Sequence, residues 1–179
     1  EETVTYRSID EVMVAVRADN GKDGPLVVAD GTDNPGGGGY GDATNMLRVL
    51  IDGGAKNAAV GHIYDPAAAQ AASKAGVGNM VRVSLGGHID PRFGEPIEVD
   101  AHVRGLSDGT FINDGPMGKG TRSEMGPTAV LRIGGVEVIV ISNRLQNTDL
   151  QTFLSQGIDP TQRRVVVVKS VHHFRAAYA

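Results

Sequence analysis

Two unbroken apolar runs, Leu26-Val27-Val28-Ala29 and Val165-Val166-Val167-Val168, limit the fold more than any other feature of this chain. A run without alternation has no polar face to turn toward water, so each reads as a strand covered on both sides, as in parallel sheets. The neighbouring segments point the same way. After the first run, Ala43, Met46, Leu47 and Leu50 fall at helical spacing, with Asp42 placed to cap the helix and Gly53-Gly54 to end it. Residues 57–64 form the next strand, with Asp65 as N-cap, Pro66 at the first helical position, an alanine-rich helix and Gly76 as terminator. Thr148 and Gln151 have the spacing of a capping box, opening a short helix that Gly157 closes, and Lys169-Ser170 leads directly into a final helix.

The middle of the chain changes period. Ile97, Val99, Ala101 and Val103 alternate with Glu98, Asp100, His102 and Arg104, the mark of a half-exposed, antiparallel strand, and residues 81–85 alternate likewise. Residues 128–133 and 136–141, joined by Gly134-Gly135, predict a hairpin. The expected fold class is therefore α/β: a single domain with a mixed β-sheet flanked by helices, which a length of 179 residues accommodates. The glycine-rich stretch 108–127 is expected to be a long loop or lid.

Seventeen basic against 21 acidic residues give a net charge of −4, so there is no basic footprint for nucleic acid. Without cysteine there is no disulfide framework, thiolate metal site or cysteine nucleophile. No apolar stretch approaches the roughly 20 residues that cross a bilayer, and no signal pattern opens the chain, so no membrane partner and a cytoplasmic location are expected. The chain begins at Glu1 and stops within a helical segment, so both ends read as cut.

In open α/β sheets, ligands gather at the carboxyl ends of the parallel strands. Those ends carry Asp30, Asp33 and Asn34; His62 and Asp65; Asn143, Arg144 and Gln146; and Lys169, Ser170 and His173. The strongest local feature is residues 30–42, where Gly36, Gly37, Gly38 and Gly39 stand between a buried strand and a helix. Their amides, with no side chain in the way, suit an anion nest better than a mere hinge. Gly36, Gly38 and Gly41 formally fit G-x-G-x-x-G, but five residues separate Gly36 from Asp30, so a dinucleotide is discounted; Gly118-Lys119-Gly120-Thr121 fails the phosphate-loop pattern.

None of the five histidines has a zinc-protease spacing. His102 reads as a surface residue and His88 as part of a turn. His173 is favoured over His172 for a site, with a structural hydrogen bond as the alternative. Ser170 reads as a helix N-cap. Arg144 and Gln146, with Asp149 close behind, suit either a bidentate grip on a carboxylate or an internal salt bridge.

Taken in order, Asp33-Asn34-Pro35-Gly36-Gly37-Gly38, the following Gly41-Asp42-Ala43-Thr44-Asn45, Arg144-x-Gln146, Gly157-Ile158-Asp159-Pro160 and Lys169-Ser170-x-x-His173-Phe174-Arg175-Ala176 resemble the C-terminal domain of the microcystinase C (MlrC) family over almost the whole chain. The resemblance implies that residues 1–179 are one such domain, lacking an N-terminal metal-binding domain and the family's last stretch. It implies a zinc-dependent peptidase or amidohydrolase whose zinc is held by acidic residues and histidines of the absent domain, with no metal bound by this fragment, which would be inactive alone. Under that reading, His173 and Lys169 are the catalytic candidates, one or the other polarising the scissile carbonyl or its tetrahedral intermediate. Asp33, Asn34, Gly36, Gly37, Gly38, Gly39, Arg144 and Gln146 bind and orient a peptide-like or other small-molecule substrate.

A second reading needs only the glycine segment: a non-catalytic module that binds a small anion. A third makes the domain an interface for its own N-terminal domain or for a homo-oligomer.

Overall fold

The computed structural model describes residues 6–19 and 24–178. In chain order the elements are α1 (Ile9–Ala18), β1 (Leu26–Ala29), α2 (Asn45–Asp52), β2 (Ala58–Tyr64), α3 (Pro66–Ala75), β3 (Met80–Leu85), β4 (Ile97–Ser107), β5 (Thr110–Ile112), β6 (Arg122–Glu124), β7 (Thr128–Ile133), β8 (Val136–Ile141), α4 (Gln151–Leu154), β9 (Val165–Val168) and α5 (Arg175–Tyr178). Seven strands make one mixed sheet in the order β1-β9-β2-β8-β7-β4-β3. The first four are mutually parallel and the rest antiparallel. The unbroken apolar runs thus lie in the parallel half and the alternating segments in the antiparallel half, with β7 and β8 paired as the expected hairpin.

Both faces of the sheet are covered. On one, Met13 and Val16 of α1, Met46, Leu47 and Leu50 of α2, and Ala68, Ala69 and Ala72 of α3 pack on Val60, Val138, Val140 and Val167. The alanines let α3 lie close to the strands. On the other, Phe111, Met125, Phe153 and Ile158 cover Ala59, Ile139, Ile141, Val166 and Val168. Near the amino end of β8, the buried Glu137 carboxylate accepts hydrogen bonds from Arg104, Arg132 and Arg163. Burial works against its ionised form, but the three guanidinium groups outweigh that cost and hold its pKa below the usual glutamate value.

Asp65, Pro66 and Gly76 take the positions expected of them around α3, with Asp65 Oδ1 accepting from Ala68 N at 2.9 Å. Four local expectations are corrected. Asp42 does not cap α2; the helix begins three residues later, beyond its reach, and Asp42 Oδ2 accepts from Ile89 N at 3.0 Å. Thr148 and Gln151 make no capping box, because Asp149 bonds Gln151 N instead, at 2.9 Å. Residues 108–127 are not a bare loop: β5 and β6 form a small hairpin whose Phe111 is buried in the second core. These strands are too short to show an alternating pattern. Lys169-Ser170 does not enter a helix directly, since bends and a turn occupy 171–174 before α5. Glu1 and Ala179, at the ends read as cut, lie outside the described residues.

Candidate functional site at the carboxyl rim of the parallel strands

Ala29 and Val168 are paired in parallel register, so the residues that leave β1 and β9 emerge side by side. Lys169 Nζ stands 3.4 Å from Asp30 Oδ2, 2.8 Å from Asp33 Oδ2 and 3.0 Å from the Ala43 carbonyl. An ammonium has three protons, and each has an acceptor here. Asp33 is just as fully engaged, its Oδ1 accepting from Gly41 N at 2.7 Å and its Oδ2 from Ala43 N at 2.8 Å. Burial works to raise the Asp33 pKa, but the Lys169 charge and hydrogen bond, together with the two amides, hold it below the usual aspartate value. Lys169 and Asp33 are almost sealed from solvent. The structure therefore places both beneath the rim surface, as a strut joining the loop after β1 to the end of β9.

The glycines are engaged as well. Gly36 N donates to Asn34 Oδ1 at 3.1 Å, Gly37 N and Gly39 N to the Asn34 carbonyl at 3.0 and 2.9 Å, and Gly38 N to the Pro35 carbonyl at 3.1 Å. The expectation of an anion nest is corrected, because these amides turn inward to close their own 3-10 turn. Close packing explains two of the glycines. A Cβ on Gly36 would overlap the Gln146 side-chain oxygen, and one on Gly39 would stand 2.7 Å from the Asn34 backbone nitrogen. Gly36, Gly37 and Gly38 remain exposed as a surface without side chains, with Asn34 half-buried beside them.

Gln146 ties the segments together. Its amide nitrogen is 3.2 Å from Ser170 Oγ and 3.2 Å from His173 Nδ1, while its amide oxygen packs on Gly36. Ser170 is buried and serves as a partner of Gln146, which corrects its reading as a helix cap. His173 is exposed, and His172, also exposed, is not among the partners of Gln146. Arg144 is exposed, with its guanidinium 4.5 Å over the Tyr64 ring. Tyr64 N in turn donates to the Gly41 carbonyl at 2.8 Å, so Arg144 borders the glycine segment.

Two contributors, Asn147 and Tyr64, escaped the sequence reading, and the surroundings of a third, His62, were not foreseen. Asn147 is fully buried, and its Oδ1 accepts from Lys169 N at 3.0 Å. It fits because Gly61 leaves space, where a Cβ would stand 2.7 Å from Asn147 Nδ2. Tyr64 supplies the platform for Arg144. His62, named as a strand-end group, is completely buried at an irregularity in the pairing of β2 with β8, and neither ring nitrogen has a hydrogen-bond partner. Burial, and then the nearby Lys169 charge, push its pKa down to about 3. A doubled apolar/polar pattern at that point of β2 could have signalled the irregularity, but the strand is apolar on both faces. Of the other histidines, His88 lies 3.1 Å from the Ser84 carbonyl in the turn after β3, and His102 is half-buried on β4.

A metal has no home among these groups. Asp30 and Asp33 both face the Lys169 ammonium, which takes the place a metal ion would need between their oxygens, and Asp65, 3.5 Å from His88 Nε2, already accepts from two backbone amides. Among the described residues no three His, Asp or Glu side chains are grouped to hold an ion. No helix among them is long and apolar enough to cross a membrane.

The chain is 30% identical to microcystinase C of Sphingomonas sp. over 154 residues, covering 86% of this chain and 30% of that protein. It superposes with a TM-score of 0.87 and 27% identity on the provisionally named metallopeptidase of Mesorhizobium sp. BNC1, covering 98% of this chain and 35% of that one. The chain thus spans about a third of the length of the relatives it matches. Residues 28–179 match the sequence model of the MlrC C-terminus, and the chain belongs to that family as its C-terminal domain.

Proposed function

We propose that the protein carrying this domain is a zinc-dependent hydrolase of peptide or other amide bonds, and that the carboxyl rim of the parallel strands is the substrate-orienting half of an active site completed by the rest of the protein. The names of the similar proteins support the hydrolase class. No three His, Asp or Glu side chains among the described residues are grouped to hold an ion, and in this reading the zinc is held by groups outside this chain.

The observation that carries the reading is the position of Gln146. One amide joins the glycine turn, Ser170 and His173 at the carboxyl ends of the parallel strands, where loops from distant parts of the chain meet. With the amide nitrogen donating, His173 Nδ1 accepts and the ring proton sits on Nε2. That N–H is suited to the oxygen of a scissile carbonyl as negative charge builds on it. Exposed Gly36, Gly37 and Gly38 offer a floor on which an extended ligand can lie beside Asn34. Lys169 and Asp33 act from below as positioning residues, because their polar atoms are already engaged.

The test uses the full-length protein, purified without added metal, assayed for bound divalent ion and for peptide hydrolysis. His173→Ala and Gln146→Ala should each lower kcat/KM by about 100-fold, with thermal stability close to that of wild type. Full activity in both variants would remove the site assignment. A full-length protein that neither holds a metal nor cleaves peptides would remove the hydrolase reading.

A further inference from the structure

Most of the charged side chains at this rim have internal partners. Lys169 is engaged by Asp30 and Asp33, and Asp33 also by two amides. Asp65 caps α3 and accepts from Gly86 N at 2.9 Å. By chain position Asp149 is the natural partner for Arg144. Instead its two oxygens accept from the amides of Asp114, Gly115 and Gln151 at 3.0, 2.7 and 2.9 Å. The internal salt bridge left open by the sequence is therefore not formed, and among the described residues Arg144 has no carboxylate partner.

Arg144 is nevertheless held in place. Its Cζ lies 4.5 Å over the Tyr64 ring centroid, a cation–π contact, and the backbone bond from Tyr64 to Gly41 ties that ring to the glycine segment. A planar fork of five donors that rests on an aromatic ring and has no carboxylate partner is suited to a planar oxyanion. Its chain neighbour two residues on, Gln146, reaches His173. We infer that Arg144 selects ligands that carry a carboxylate close to the bond presented to His173. The inference rests on the rim being the proposed substrate site. The carboxylate can be the free α-carboxylate of a C-terminal residue or an acidic side chain, two sources that share one chemistry.

The test measures binding to the full-length protein after metal removal, so that neither turnover nor carboxylate binding to an ion contributes. One pair of probes is N-acetyl-alanyl-alanine and its C-terminal amide; the other is N-acetylglutamic acid α-amide and N-acetylglutamine amide. In wild type the acid of at least one pair should bind about tenfold more tightly than its neutral partner, and the pair that shows the preference identifies the source of the carboxylate. Arg144→Gln should bring that ratio close to one, while Arg144→Lys, which keeps the charge but loses the fork, should leave an intermediate ratio. Wild type without a preference in either pair, a preference that survives in Arg144→Gln, or no binding of any probe would overturn the inference. Hydrolysis by the metal-loaded protein is scored separately. An Arg144-dependent preference without hydrolysis sinks the catalytic reading and leaves this one standing; hydrolysis without the preference does the reverse.

Discussion

Lys169 Nζ and Asp33 Oδ2 are 2.8 Å apart although 136 positions separate the residues in the chain, and both side chains are almost entirely buried. The contact fastens the loop after β1 to the end of β9, and it sits directly under the surface formed by the glycine turn, Gln146 and His173. A buried charge pair of this kind is costly to break from one side, because the remaining partner has no solvent to turn to.

Lys169→Met should therefore cost about 3–5 kcal/mol of stability, read from urea unfolding midpoints of the full-length protein. Asp33→Asn leaves the ammonium with the Ala43 carbonyl and Asp30, so its cost should be the smaller of the two. Joined in one chain, the substitutions should cost less than their sum, since the second removes a charge that the first has stranded. Strict additivity would mean that the pair is not coupled.

His62 gives the fold a pH dependence of its own. Its folded pKa is pushed down to about 3, while the unfolded chain titrates at the ordinary value of 6.5. Between those values the unfolded state binds a proton that the folded state refuses, so stability drops as the pH falls through that window, by about 1.4 kcal/mol per pH unit at most. His62→Leu should lose this component while the carboxylates keep theirs. Unfolding midpoints measured from about pH 6.5 to about pH 4 should fall less steeply in the variant, and parallel curves would show that His62 is not held neutral.

Gly36 and Gly39 should respond differently to the same added methyl. At Gly36 the methyl meets the far end of the Gln146 side chain, which can swing away. Gly36→Ala should thus change stability by less than about 1 kcal/mol while detaching Gln146 from His173, so hydrolysis by the full-length protein should fall. At Gly39 the methyl meets the backbone of Asp33 and Asn34. That backbone cannot move without disturbing Asp33, so Gly39→Ala should cost about 2 kcal/mol or more, visible as a lowered Tm. Equal losses of stability in the two variants would contradict this account.

By itself the amino-acid sequence determined the seven strands of the main sheet, the helices α2 and α3, and the parallel setting of the two unbroken apolar runs, though it did not reveal α1 or the β5–β6 hairpin. Those properties follow from local patterning: Val165-Val166-Val167-Val168 has no polar face to expose, Asp65-Pro66 can start a helix but not continue a strand, and Ile97 to Val103 alternates at the period of a half-buried strand. It also brought together, as names, the residues at the strand ends. Only the tertiary structure decided what each does there, because hydrogen-bond partners are chosen across the sheet order and not along the chain. That order set Lys169 beside Asp30 and under Asp33, turned the glycine amides inward, gave the oxygens of Asp149 to backbone amides and so left Arg144 to Tyr64, and sealed His62 away from water.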